Sequence, residues 1–267
     1  MKKSYILDMT WTEFRDCVDE RTAVLIPMGS TELEGPHLPL GVDSLVADAV
    51  AGSLIEEEGV LVGPGLPVGY SAWFSPFPGT ISLEQETLTH VITEYSASLM
   101  RHGVRLMVFL NAHRGNNASI DAAARSLVLE YPVRIGMLSI WKIANDLAAD
   151  KRGLIREGGF THGGEIMTSL ILALRPGLVV KENMKPDAPG SPPDCAFQVK
   201  NSLGDVAFKG SVQTLYQHVR EITDSGVFGD PTRASAEKGK TILDLVTDYV
   251  RDFVRQFRTL PLPERRK

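Results

Sequence analysis

Apolar segments that resemble buried strands alternate along this chain with segments whose apolar residues follow a helical spacing. The strand-like segments are 22–28, 60–62, 104–110 and 133–140. Helical patterns cover 43–59, about 85–103, 120–128, 164–174 and 235–257. Strands that alternate with helices form parallel sheets with helices on both faces. The sequence therefore predicts a three-layer α/β/α fold with a mostly parallel central sheet, and near-continuous apolar strands favour the same arrangement.

The domain organisation follows from length and from the absence of linkers. The 267 residues are enough for one large α/β domain or two small ones. No repeat or low-complexity linker interrupts the pattern, so we predict a single domain over residues 1–267. Residues 185–211 are rich in Pro and Gly and predict a long loop, while residues 141–161 give no clear pattern. Ser82–Gln85 has the spacing of a helix capping box.

Composition and charge exclude several classes of protein. Hydrophobic residues are 43%, charged residues 23% and the net charge is -5, which is ordinary for a globular protein. No block of Lys and Arg indicates nucleic-acid binding. The uncharged stretch 59–83 holds four prolines and five glycines, so we expect no membrane span there. Two cysteines without a Cys-x-x-Cys pair, and a start without a signal-peptide pattern, predict a cytoplasmic protein.

Polar residues with metal-binding side chains follow two of the predicted strands. The first loop, 29–37, leads into Asp43, and the second loop is 111–116; a third polar segment lies at 161–165. Ligands of open α/β sheets bind beyond the carboxyl ends of the strands. The residues of interest in these segments are Glu32, Glu34, His37, Asp43, His113, Arg114, His162 and Glu165.

Crowded carboxylates repel one another, so they need a cation or raised pKa values. A mixture of Glu, Asp and His suits Zn²⁺, Mn²⁺ or Fe²⁺. The alternative is that the carboxylates cap helices and that His113 ends a strand. Spacing alone leaves these two interpretations equally balanced.

The same segments resemble motifs of the creatininase family. The loop from Gly29 to Asp43 resembles Gly-Ser-x-Glu-Gln-His-Gly-x-His-Leu-Pro with its following Asp, and 111–116 resembles Asn-Gly-His-x-x-Asn. Residues 161–169 resemble His-Ala-Gly-x-x-Glu-Thr-Ser, 78–80 match Pro-Gly-Thr, and 225–231 resemble Gly-x-x-Gly-Asp-Pro. These matches run in family order from about residue 20 to residue 240, and together they are highly specific.

The resemblance implies an α/β/α amidohydrolase with two divalent metals, often assembled as a hexamer. Carried over, Glu32, Asp43 and His113 are ligands of one metal, with Asp43 as the bridging carboxylate. His162 falls on the catalytic histidine, and Glu157 on a carboxylate of the creatininase site. We therefore expect Zn and/or Mn, with Fe or Mg as further options, at one or two ions per chain in a homo-oligomer.

The resemblance is weaker at the second metal. The family's His after Glu-Gln is Glu34 here, a ligand Glu of creatininase is Gly115, and the Glu of Glu-Thr-Ser is Met167. Glu34 remains a usable ligand because carboxylate oxygens bind divalent metals. Glu165 is a substitute candidate, three residues after His162 on the same helical face. An oxygen-rich second site favours Mn²⁺ or Mg²⁺, and a single-metal enzyme is the alternative.

Three further residues are candidates for substrate binding. Arg114 suits a carboxylate or phosphate, with an ion pair as the alternative. His37 is either a hydrogen-bonding group of the site or part of a turn. Trp73 is either a wall of the pocket or a packing residue.

The predicted function is hydrolysis of a C–N bond in a small cyclic amide, formamide or related amide by metal-activated water. Creatinine itself is not expected, because Gly158 stands where creatininase has a tryptophan. One alternative is a hydrolase of a lactone or cyclic ketone. Another is a non-catalytic metal- or ligand-binding protein with a degraded second metal site.

Overall fold

The computed structural model describes residues 3–151, 153–155, 162–187, 195–200 and 204–264. The strands are β1 (Ala23–Met28), β2 (Val60–Val62), β3 (Leu106–Asn111), β4 (Arg134–Ser139), β5 (Gln198–Val199), β6 (Asp205–Phe208) and β7 (Ser211–Thr214). The α-helices are α1 (Trp11–Cys17), α2 (Val42–Gly52), α3 (Gln85–Arg101), α4 (Asn117–Glu130), α5 (Ile140–Asp150), α6 (Glu165–Leu174) and α7 (Ala236–Thr259).

The central sheet contains β2, β1, β3 and β4 in that order, and its strands all run parallel. The two middle strands are buried along their whole length. This explains their unbroken apolar sequence, because a strand covered on both faces has no solvent side on which to place polar residues. The predicted mostly parallel sheet is confirmed.

Helices cover both faces of this sheet. Successive side chains of a strand point to opposite faces. Accordingly, Leu25 and Val108 pack in a core with α2, α5, α6 and α7, whereas Ile26 and Phe109 pack in a second core with α3 and α4. The two apolar cores on either side of one sheet confirm the three-layer α/β/α domain.

The loop predicted over residues 185–211 is wrong in part, since strands lie within this region. β5, β6 and β7 form a separate antiparallel sheet. Lys209 and Gly210 both have positive φ, 47° and 84°, and they connect β6 to β7. Two such residues make the tight turn whose twist suits a hairpin, but Lys-Gly is a weak sequence signal for it. In the unassigned segment 141–161, α5 continues directly from the end of β4.

The capping box predicted at Ser82–Gln85 is also wrong. α3 begins at Gln85 with Glu84 as its N-cap, and no side chain caps it. The Ser82 hydroxyl instead accepts a hydrogen bond from the backbone N–H of Ser71 at 2.9 Å. The Ser82 side chain therefore bonds to the 71–74 segment instead of capping the helix as its spacing had predicted. None of the helices in the described part of the chain is long and apolar enough to cross a membrane.

Candidate metal centre

The candidate site lies where β1 and β3 end, side by side, at the carboxyl edge of the sheet. Met28 and Asn111 are paired in register at the ends of these two strands. The loop after β1 carries Glu32 and Glu34, and His113 follows β3 two residues later. Asp43 enters from the first turn of α2, and His162 precedes α6. The parallel topology therefore brings together residues that are up to 130 positions apart.

Glu32, Asp43 and His113 form the first ligand group, with one ligand atom from each within 4.8 Å of the others. His113 Nδ1 lies 3.0 Å from Asp43 Oδ2 and 3.5 Å from Glu32 Oε1. The other ring nitrogen, Nε2, is 2.8 Å from the carbonyl oxygen of Tyr70. A carbonyl accepts but never donates, so Nε2 carries a proton, and Nδ1 is the nitrogen that faces the two carboxylates and becomes free to bind a cation when it loses its own proton.

Glu32, Glu34 and His162 form the second ligand group. His162 Nε2 lies 3.4 Å from Glu32 Oε1 and 3.2 Å from Glu34 Oε2. His162 Nδ1 donates to the carbonyl oxygen of Gly226 at 2.8 Å, which again leaves the other ring nitrogen facing carboxylates. The two groups share Glu32, so the geometry is that of two adjacent cation positions.

The donor set fits a divalent metal. Glu32, Glu34 and Asp43 are all buried, and three carboxylates in one buried space are costly without compensating positive charge. Glu32 Oε2 and both oxygens of Glu34 have no hydrogen-bond partner among the described residues. Cations bound between these oxygens and the two histidine nitrogens would satisfy them. Mixed nitrogen and oxygen ligands of this kind suit Zn²⁺ and Mn²⁺.

The pKa values of the cluster show how the charges act on one another. Burial raises the pKa of Glu34 well above its usual value, and the charges of Asp43 and Glu32 raise it further. Burial also raises the pKa of Glu32, but the charges of His113 and His162 outweigh this and leave it lowered. Burial lowers the pKa of His113, yet the Glu32 charge and the hydrogen bond to Asp43 bring it up to about 9. The protein alone thus attracts positive charge to this cluster.

Residues outside the predicted set hold Asp43 in place. Trp141 Nε1 donates to Asp43 Oδ1 at 2.8 Å, and Ser30 Oγ donates to Oδ2 at 2.9 Å. Outer contacts of this type fix the orientation of a metal ligand. Trp141 was missed because it lies at the start of the segment that gave no sequence pattern. Ser30 belongs to the Gly-Ser pair at the start of the first loop motif, but nothing in that motif indicated that its hydroxyl donates to Asp43, 13 residues later.

Asn116 ties the two ligand loops together. Its Nδ2 donates to the carbonyl of Gly29 at 2.9 Å, and its Oδ1 accepts from the N–H of Tyr70 at 3.0 Å. Tyr70 supplies the carbonyl that fixes His113, so Asn116 sets the position of that carbonyl. Because the Asn116 amide bonds to both backbone segments, the two loops are held in a fixed position relative to each other.

The space left between the ligands is small. The cavity that Glu32, Glu34, Asp43 and the two histidines line has a volume of about 30 Å³, which is room for about two water molecules. Phe74 forms one wall, with its ring stacked on His162 at a centroid distance of 4.4 Å and an interplanar angle of 19°. Trp73 does not line this cavity and packs with Phe74, Phe77, Val219 and Leu33 instead.

Two predicted residues are not brought to the ligands. Glu165 is fully buried, but it forms an ion pair with Lys238 of α7 and belongs to neither ligand group. In the first turn of α6 it faces α7, and its role as a replacement ligand stays a prediction that the Glu165→Gln variant tests. His37 is buried as well, with Nε2 2.9 Å from Thr168 Oγ1, and it links the first loop to α6 without lining the cavity. Glu157 lies outside the described residues.

Gly115 shows why the missing carboxylate is not a simple substitution. A Cβ at this position would lie 2.2 Å from the carbonyl oxygen of Tyr70 and 2.4 Å from His113 Nε2. Any side chain here would displace the hydrogen bond that orients His113. The close approach of the Tyr70 carbonyl and the His113 ring therefore requires glycine in this version of the loop.

Fold and site together define an α/β/α protein with a candidate metal centre at the carboxyl edge of its sheet. The family model of creatinine amidohydrolase matches residues 7–254. A creatinine amidohydrolase of Pseudomonas putida is 31% identical over 96% of this chain and 97% of its own length. A mycofactocin precursor peptide peptidase of Mycobacterium tuberculosis is 32% identical over 91% of this chain and 87% of its own. A 3-dehydro-scyllo-inosose hydrolase of Thermotoga maritima is 28% identical over 97% of this chain and 86% of its own length.

Solved structures agree with these relatives. A crystal structure of creatininase superposes with a TM-score of 0.79 at 30% identity, covering 98% of this chain and all of that one. Creatininase structures in a manganese form and in a Zn–Zn form of a mutant give TM-scores of 0.77 and 0.78, each at 29% identity over 97% of this chain and the whole of the other. The chain belongs to the creatininase family. It is a hydrolase, as the resemblance of its loops predicted.

Proposed function

We propose that this amidohydrolase cleaves a C–N bond of a small amide with water activated by divalent ions held by Glu32, Asp43, His113, Glu34 and His162. The observation that carries the proposal is the pair of ligand groups that share Glu32. When bound, such ions lower the pKa of a water ligand and polarise a substrate carbonyl. Manganese and zinc are the metals we expect first, because creatininase structures are described with both.

The protein's own contribution is orientation and exclusion of bulk water. The carbonyls of Tyr70 and Gly226 fix which nitrogen of each histidine is free. Phe74 covers one face of His162, which restricts that side chain to its ligand-facing position. The geometry favours His162 as a ligand of the second cation, whereas the sequence prediction made it the proton shuttle. Glu157 stays a predicted second catalytic group.

The substrate class is proposed from relatives and from cavity size. The relatives are named for an amide, a peptide and an inosose, and a mutant creatininase has been solved in complex with creatine. Gly158 stands where creatininase has a tryptophan, so creatinine is not our first choice. Small lactams and formamides are the substrates that we propose first. A lactone or cyclic ketone is the second candidate, because one relative is named as an inosose hydrolase.

The test combines metal analysis with a substrate screen on full-length protein purified without chelator. We expect up to two divalent ions per chain, one for each ligand group. Lactams, formamides, short peptide amides and lactones are then assayed with loaded, chelated and reloaded enzyme. Turnover of lactones alone selects the second candidate. Bound metal without any turnover selects the non-catalytic binder, and active protein without Zn, Mn, Fe, Co, Ni or Mg contradicts the proposal.

The role of His162 is resolved by His162→Ala. As a ligand, its loss removes the second ion. As a proton shuttle, its loss keeps both ions and lowers turnover by about a hundredfold or more. If it only stabilises the start of α6, the melting temperature falls while turnover stays near normal. His90→Ala is the matched control, because His90 is exposed on α3.

Assembly and location are proposals of the sequence. We propose a homo-oligomer, the hexamer that the family resemblance implies. We also propose a cytoplasmic location, because two cysteines without a Cys-x-x-Cys pair suit a reducing compartment.

A further inference from the structure

A larger cleft opens beside the metal cavity, and Arg114 lines both. The cleft has a volume of about 640 Å³, within the range of small-molecule binding sites. Its lining includes two cations, Arg114 and Lys142, and one carboxylate, Asp146, which is in contact with Lys142. Ser139 ends β4 and pairs in register with Asn111 of β3, so the cleft occupies the same carboxyl edge of the sheet as the ligands. The cavity between the ligands is too small for an organic substrate, and this cleft is the adjoining space.

The guanidinium of Arg114 is only loosely engaged. Its one ion pair among the described residues is with Asp205, with Nη2 3.6 Å from Oδ2, which is too long for a hydrogen bond. Its side chain is 45% exposed, and it directly follows His113 in the chain. Lys142, the other cation of the cleft, is already in contact with Asp146 one helical turn away. Arg114 is therefore the cation of this cleft whose donors are available.

We propose that Arg114 recognises an anionic group of the substrate, so that the substrate is an amide with a second, negatively charged end. The inference rests on the proposed function in placing the reacting amide at the metal ligands. A planar guanidinium binds a carboxylate or phosphate through two parallel hydrogen bonds. Those bonds fix the orientation of the substrate as well as its affinity. The anionic end would lie in the cleft while the C–N bond faces the ligands.

Asp205 acts as the internal competitor for this guanidinium. Its Oδ1 accepts a hydrogen bond from Thr214 across the β6–β7 hairpin at 3.1 Å, while Oδ2 faces Arg114. A substrate anion that binds Arg114 must replace Asp205 Oδ2 as the partner of the guanidinium. Removing the Asp205 charge should strengthen anion binding, whereas removing the Arg114 charge should weaken it, so the two substitutions act in opposite directions.

The experiment compares glutarate with valerate by titration calorimetry on metal-loaded full-length protein. The two probes share one carboxylate and a five-carbon chain, differ in the charged group at the other end, and carry no C–N bond that the enzyme could hydrolyse. Either probe offers one carboxylate to the metal, so the difference between them reports on the second group. We expect the wild type to prefer glutarate by about tenfold, the effect of one charge-assisted bidentate pair at a half-exposed site. Arg114→Gln should remove the preference, and Arg114→Lys should keep part of it. Asp205→Asn should widen the preference by up to about fivefold.

Arg125→Gln is the matched control, since Arg125 is an exposed arginine on α4 paired with Asp121, and it should keep the wild-type preference. Equal affinity of the wild type for the two probes, or an unchanged preference in Arg114→Gln, overturns the inference. An unchanged or smaller preference in Asp205→Asn overturns the role of Asp205. Metal content and circular dichroism are recorded for every variant. A protein that shows the preference but hydrolyses no C–N bond refutes the proposed function and leaves the anion site in place.

Discussion

Asp43 is fixed from two sides by groups that are not themselves metal ligands. The indole of Trp141 holds Oδ1 and the hydroxyl of Ser30 holds Oδ2, while His113 Nδ1 lies 3.0 Å from Oδ2. A carboxylate with both oxygens oriented in a buried site loses little freedom on binding a cation. The residue common to both candidate ligand groups is Glu32, so the bridging position of Asp43 stays a prediction from the family resemblance.

We expect Asp43→Asn to lose more metal than any other single ligand substitution. The amide keeps the shape of the side chain but lacks the charge, and altered contacts around ligands alone typically cost 10- to 100-fold in metal affinity. Metal content after dialysis, together with affinity from competition with a coloured chelator, measures the loss. Asp48→Asn is the control, an exposed carboxylate on the same helix. Full metal content in Asp43→Asn would show that Asp43 is no ligand.

Metal binding should release protons, because His113 must be neutral at Nδ1 to coordinate. Its pKa is about 9 in the metal-free protein, so the ring is protonated at pH 7.5 and loses that proton on binding. Affinity should therefore rise by about tenfold per pH unit up to about pH 9. Calorimetry at pH 7.5 in buffers of different ionisation enthalpy measures the released protons. Release of no proton at this pH would contradict the raised pKa.

That the candidate ligands lie together was predictable from sequence, whereas the groups that orient them were not. Glu32, Asp43 and His113 follow strands at the edge where binding residues of α/β proteins lie, and the motifs named them. The contacts from Tyr70 and Gly226 come from backbone carbonyls. Any residue type carries that group, so no side-chain pattern marks it. Trp141 lies 98 residues from Asp43, and only the folded sheet relates them.

At the scale of elements, periodicity predicted which segments are helices but not which way each residue points. α6 was predicted over 164–174 and observed at Glu165–Leu174. The spacing placed Glu165 on the His162 face, yet the ion pair with Lys238 of α7 decided its direction. The orientation of a helix about its axis depends on what packs against it, and Lys238 lies 73 positions after Glu165 in the chain.

Glu165→Gln should therefore destabilise the protein and leave its metal content unchanged. The substitution leaves the largely buried ammonium of Lys238 facing a neutral amide. Breaking a buried pair from one side costs about 3–5 kcal/mol, and the 24% exposure of Lys238 reduces our expectation to about 1–3 kcal/mol. Urea unfolding of the metal-loaded protein measures this change. Glu237→Gln, at an exposed position of α7, should have little effect, and a loss of metal in Glu165→Gln would support Glu165 as a ligand.

At the scale of the whole molecule, the fold is retained although most of the residues differ. The chain superposes on creatininase with a TM-score of 0.79 although only 30% of residues are identical. Substitution at Glu34, Gly115 and Met167 is confined to loops and to the first turns of a helix. Parallel strands fix where the loops start, so ligand types change there without disturbing the core.

Assembly of several chains stays a proposal from the family resemblance, and the exposed apolar residues offer places to test it. Leu7, Trp11, Leu129 and Tyr216 expose 74–86% of their surface. The strand β7 lies at the edge of its small sheet, with Val212 58% exposed, and an open edge of this kind readily pairs with another chain.

We therefore expect a homo-oligomer whose mass in light scattering is a multiple of the 29.2 kDa monomer, with six chains as the first expectation. Two variants locate the interface, because an apolar side chain that is buried between subunits cannot be made charged without loss of contact. Tyr216→Lys should reduce the mass if the hairpin is the interface, and Leu129→Lys should do so if the end of α4 is. Both substitutions are at exposed positions of the monomer, so the melting temperature of an isolated chain should change little. A mass of 29.2 kDa at micromolar concentration for the unsubstituted protein would refute assembly.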